Sequence, residues 1–86
     1  MLFHVYQYER DCDIFVVTDA EHEKSVIDKL STNDRLKKIG DYEEIGERRA
    51  AFNETIAKSA ILDHGYYKLR AKSFAPEGQA PLTMPI

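Results

Sequence analysis

Between Tyr8 and Ile14 the chain reads Glu9-Arg10-Asp11-Cys12-Asp13, which places three acids, an arginine and the only cysteine in five consecutive residues. Two chemistries would use such a cluster: carboxylates around a cation, and a thiolate nucleophile. A loop that wraps calcium needs several oxygens in close succession and a glycine at the sharp bend. Glu9, Asp11, Asp13 and the later Asp19 supply the oxygens, but the loop has no glycine and is too short to enclose an ion. A nucleophilic cysteine needs a base within hydrogen-bond reach and a lowered pKa. Acids on both sides of Cys12 oppose that lowering. His4 falls on the same strand face but two cross-strand pairs away. Zinc would require about four clustered ligands, against one cysteine and three scattered histidines. No phosphate-binding loop, dinucleotide fingerprint, HExxH or G-x-S-x-G motif is present. The expectation is a non-enzymatic chain without metal or cofactor, in which Glu9-Arg10-Asp11 is a hairpin end.

The elements around that loop carry more information. Residues 2–8 and 12–18 are rich in β-branched and aromatic side chains and read as two paired strands. With a loop of residues 9–11, Tyr8 opposes Cys12, Phe3 opposes Val17 and Val5 opposes Phe15. A first helix follows, capped by Thr18 with Glu21 or by Asp19, with Val26, Ile27 and Leu30 as its apolar stripe. The stretch "RLKKIG" reads as a helical turn ended by Gly40, with a short strand as the alternative. A second helix is predicted over Tyr42 to Asp63, capped by Asp41. Its apolar face is Ile45, Phe52, Ile56 and Ala60, widened by Ala57 and Ile61; Glu44 with Arg48 and Glu54 with Lys58 pair along it, and Gly65 stops it. A third strand spans Tyr66 to Phe74 by alternation.

The resulting fold class is α+β: a small antiparallel three-stranded sheet in ββααβ order with two helices packed on one face. Residues 1–75 form the single domain that 86 residues allow. Residues 76–86, with three prolines and a glycine, read as a flexible tail.

One face of this sheet is an evident core: Phe3, Val5, Phe15, Val17 and Leu69. The other carries Tyr6, Tyr8, Ile14 and Val16, and a one-sided helix layer leaves it open. Open apolar faces mark interaction surfaces, and tyrosine suits them. Lys68, Arg70 and Lys72 would form a charged rim. These seven residues are the candidate binding site. The expected function is a protein-binding module of regulator, adaptor or inhibitor type, self-associating as a homodimer or meeting another protein. Should the helices divide between the two faces, that patch would be covered. The alternative function is a single-stranded nucleic-acid platform, with bases on the aromatic rings and phosphates on the cations. A formal charge of -3 gives nucleic acid or an anionic membrane no general attraction. Hydrophobic residues at 43% and charged residues at 31% suit a folded domain rather than a disordered chain. One cysteine, no apolar run of membrane-spanning length and no signal-peptide pattern in "MLFHVYQYER" point to the cytoplasm.

Overall fold

The strand Leu2–Tyr8 (β1) runs through the middle of the molecule and hydrogen-bonds on both of its edges. On one side lies Ile14–Thr18 (β2), on the other Leu36–Glu43 (β3). Tyr67–Arg70 (β4) extends the sheet beyond β2, and the two residues Met84–Pro85 (β5) add to β4, giving the order β3-β1-β2-β4-β5 with every pair antiparallel. Two helices complete the fold, Glu23–Leu30 (α1) and Glu54–His64 (α2). The computed structural model describes residues 1–45 and 52–71, and the main chain of 84–85. The α+β class agrees with expectation; the strand count, the ββααβ order and the placement of the helices do not.

The largest difference is β3. "RLKKIG" is not a helical turn, and Asp41 caps no helix: Leu36 to Gly40 and Asp41 belong to an eight-residue strand. Its pairing with β1 shifts between Val5–Gly40 and Tyr6–Lys38, so Ile39 is an extra, bulged residue. A bulge breaks the period-two alternation that identifies a strand. The strand is held by β1, whose paired residues lie 28 to 41 positions away in sequence, which no local pattern reports.

The β1–β2 register also differs. Val5 faces Val17, Tyr6 faces Val16 and Gln7 faces Phe15, a slip of two residues from the three-residue-loop pairing, so the loop is residues 9–13. The longer loop is pinned from outside: the Asp34 carboxylate accepts the N–H groups of Arg10 at 3.0 Å and Asp11 at 2.9 Å. Because the slip is even, each side chain stays on its expected face.

The two faces are therefore as expected, but both are covered. Against Phe3, Val5, Phe15, Val17 and Leu69 lie Ala57 and Ile61 of α2, with Phe52 just ahead of that helix. The Phe3 and Phe52 rings meet edge to face, centroids 5.1 Å apart. Against Tyr6, Tyr8, Ile14, Val16 and Leu36 lie Val26, Ile27 and Leu30 of α1. The helices divide between the faces, one each, which corrects the one-sided layer.

Local chemistry explains the helix ends. Thr18 sits in β2 and donates its hydroxyl to the Gly65 carbonyl at 2.7 Å, so it caps no helix. Asp19 instead accepts the His22 N–H at 2.9 Å, one residue ahead of α1. Asn53 caps α2 by accepting the Ile56 N–H at 3.1 Å. Gly65 ends α2 with φ of 97°, the left-handed conformation that glycine adopts without strain. In α2 Ile56 turns outward, half exposed, in place of its predicted core position. Lys58 pairs with Glu44 at 2.9 Å rather than with Glu54, whose carboxylate accepts the Ile45 N–H. The Glu44–Arg48 pair, the 46–51 part of the long predicted helix, residues 72–74 of the third predicted strand and most of the tail lie outside the described residues.

Candidate functional site

Tyr6, Tyr8, Ile14 and Val16, the centre of the expected interaction face, lie under α1 and are 6%, 7%, 8% and 0% exposed. Both tyrosine hydroxyls are engaged beneath the helix: Tyr6 donates to Glu23 at 2.6 Å and Tyr8 to the Leu30 carbonyl at 2.9 Å. Of the expected cationic rim, Arg70 is ion-paired with Asp13, and the Lys68 ammonium lies 5.4 Å over the Tyr8 ring. Lys72 lies outside the described residues.

Tyr8, Ile14 and Lys68 do come together, in a shallow cleft of about 280 Å³ between the end of α1 and the sheet. Lys29 and Lys68 on its walls are balanced by Asp11 and Asp34, so the cleft has no dominant charge to select a ligand. Cys12 is exposed in the nearby loop. Among the described residues the one group with metal-type ligands in reach of each other is Asp19, Glu21 and His22; Asp19 is already bonded to the main-chain and ring nitrogens of His22.

The densest polar constellation is where α1 crosses β1 and β3. His4 Nδ1 lies 2.9 Å from Glu23 Oε2, 3.0 Å from Asp41 Oδ1 and 3.0 Å from Lys38 Nζ. Lys38 pairs with Asp41 at 2.9 Å and with Glu23 at 3.2 Å. The bulge makes this possible. Three positions apart in a regular strand, Lys38 and Asp41 would point to opposite faces; the extra residue Ile39 returns both to the α1 side. The sequence marks His4 only as a candidate base and Asp41 only as a helix cap, and it does not group the four, because their grouping depends on that bulge and on the β1–β3 pairing.

The electrostatics assign this cluster a holding role. Burial, then the hydrogen bond to Glu23, pushes the Tyr6 hydroxyl up to about 12. The Tyr6 hydroxyl and then Lys38 hold the Glu23 carboxyl below its ordinary range. Asp41 raises Lys38, and Lys38 lowers Asp41. Each of these shifts deepens the form already present at neutral pH: carboxylates charged, ammonium charged, phenol neutral. General acid–base work calls for the opposite, a group brought toward the working pH. The cluster ties α1 to β3.

This yields a pH signature. The raised Tyr6 value means the folded chain keeps a proton that the unfolded chain loses above 10.0. Its contribution is complete below that pH and is lost as pH rises toward about 12. The depressed Glu23 value acts in reverse: its contribution is present above the ordinary carboxylate range and lost as pH falls below it. In urea unfolding across pH, Tyr6→Phe is expected to flatten the alkaline loss of stability and Glu23→Gln the acid one. Unchanged slopes in both variants would show that the cluster does not couple to folding.

Among the described residues a further organised surface is the outer edge of β3. It is the end strand of the sheet, and no strand among the described residues lies beyond it. Lys37, Lys38, Asp41 and Glu43 are exposed along it. No helix among the described residues is long and apolar enough to cross a membrane. Comparisons with family models, with curated proteins and with solved structures give no match to this chain.

Proposed function

We propose that this chain is a small, non-enzymatic protein-binding module that takes up a partner strand along the outer edge of β3. One observation carries the reading: both sheet faces are covered by the chain's own helices, while an eight-residue strand closes the sheet with its outer edge turned away from every other described strand. Such an edge is a template for strand addition, in which main-chain hydrogen bonds give affinity and side chains give selectivity. The charges and bulge of β3 discourage indiscriminate pairing. They leave it open to a strand whose charges run in the complementary sense. A regulator, adaptor or inhibitor acting in the cytoplasm would work through such a contact. The single-strand nucleic-acid reading has less support, because bases stack on open rings and the Tyr6 and Tyr8 rings are buried.

The test separates main chain from side chain at one position. Lys38→Ala keeps the amide that the edge offers; Lys38→Pro removes it. With both variants shown to melt cooperatively, a partner captured from the source cell by wild type and Lys38→Ala is expected to be lost with Lys38→Pro. Capture undiminished by the proline would overturn the edge as the binding surface.

A further inference from the structure

We infer that the strand taken up by β3 is the β3 of a second copy of this chain, paired antiparallel about a two-fold axis that passes between Ile39 and Gly40. This rests on the edge reading above and names its partner. Two observations support it: the bonding geometry of the bulged strand and its distribution of charge.

The hydrogen-bonding direction of each β3 residue follows from two anchors. The Glu44 N–H donates to the Met1 carbonyl at 2.8 Å, and the Glu9 N–H donates to the Arg35 carbonyl at 2.9 Å. In an antiparallel ladder, residues alternate between bonding to the neighbour and turning their main-chain groups outward. Counting back from Glu44, Tyr42 and Gly40 bond inward to Phe3 and Val5, and Asp41 and Glu43 turn outward. Counting on from Arg35, Lys37 bonds inward to Gln7, and Leu36 and Lys38 turn outward. In an unbulged strand, outward positions would continue at every second residue. Here the extra residue Ile39 places them at 36, 38, 41 and 43, a set symmetric about the point between Ile39 and Gly40. A second copy rotated about that point brings Lys38 opposite the partner's Asp41, so outward groups meet outward groups on both sides of the bulge.

The charges obey the same symmetry. The segment Arg35-Leu-Lys-Lys-Ile-Gly-Asp-Tyr-Glu-Glu44 is basic before the axis and acidic after it. Antiparallel self-pairing sets the basic half of each copy against the acidic half of the other. Lys38 meets the partner's Asp41 on the α1 side, and Arg35 meets the partner's Glu44 on the α2 side, twice each by symmetry. A parallel pairing would oppose like charges along the whole edge, which is destabilising. The isologous arrangement is the closed form that homodimers most often take, and it joins two sheets into one while removing an open edge from each.

Light scattering on the full chain at high micromolar concentration is expected to give the mass of a dimer that dissociates on dilution. Lys38→Glu alone sets acid against acid, and Asp41→Lys alone sets base against base; each is expected to weaken self-association by roughly tenfold or more, since both symmetric pairs are reversed. Mixing the two variants restores opposite charges at both positions, and a mixed dimer is expected by native mass spectrometry. Lys38 and Asp41 also brace His4 and Glu23, so a second measurement uses the unmodified chain. Amide exchange at Lys38 and Asp41 slows as concentration rises, while the inward Lys37 amide keeps a constant protection. A strictly monomeric chain, a dimer indifferent to both reversals, or concentration-independent exchange at Lys38 and Asp41 would each overturn the second-copy assignment. In that event the edge reading still stands if a different protein is lost with Lys38→Pro, and falls with it if none is.

Discussion

Val26→Asp is expected to leave most of the chain unfolded at room temperature. Val26 is 3% exposed and is the α1 residue set most deeply against Tyr6, Tyr8, Ile14 and Val16. A carboxylate there has no partner, and the penalty is on the order of 4 kcal/mol or more. A domain of this size holds about 4–13 kcal/mol in all. The expected signature is loss of the cooperative thermal transition and strong binding of a hydrophobic dye as the aromatic face opens. Part of the fold should return as pH falls through the carboxylate range, since burying the neutral acid is cheaper. The exposed neighbour substitution Lys24→Asp is the control and should cost little. A Val26→Asp chain that melts like wild type would mean that α1 does not cover this face, and the case for the β3 edge as the open surface would fail with it.

Ile61→Ala probes the opposite face and is expected to cost about 2–5 kcal/mol. Ile61 is fully buried in α2 against the sheet. For a chain of this length, Tm should fall by at least about 10 °C. Ile56→Ala, at a position 50% exposed, should change stability by only about 0.5 kcal/mol. The contrast is informative because both isoleucines are expected in one apolar stripe, whereas in α2 Ile61 is buried against the sheet and Ile56 is half exposed. A larger loss at Ile56 than at Ile61 would contradict the observed helix phase.

Several features were legible residue by residue. The β-branched and aromatic content of "LFHVYQY" and "IFVVT" marked two strands, and the period of two along a strand sorted their side chains onto the correct faces. Gly65 marked a helix end because a left-handed residue is required there. The loop length was misjudged by two residues, yet the faces survived because strand side chains repeat every second residue. Other features were not legible. The bulge at Ile39 erased the alternation of β3, and its partner strand is distant in sequence. Asp34, which holds the Arg10 and Asp11 amides, lies beyond the whole of α1. The candidate site was misplaced for a related reason: Tyr6, Tyr8, Ile14 and Val16 form one apolar face, as read, but which element covers that face depends on where each helix crosses.

What this sequence determined by itself was the composition of its surfaces: which residues share a face, where an α2 must stop, and that "ERDCD" lies in the turn between two strands. Those properties follow from local periodicity and backbone preference. What only the tertiary structure decided was the order of the strands, the division of the helices between the two faces, and the gathering of His4, Glu23, Lys38 and Asp41 around one bulge. These depend on contacts between residues many positions apart, whose free energy is gained only when the chain closes on itself. The same closure took the aromatic face out of solvent.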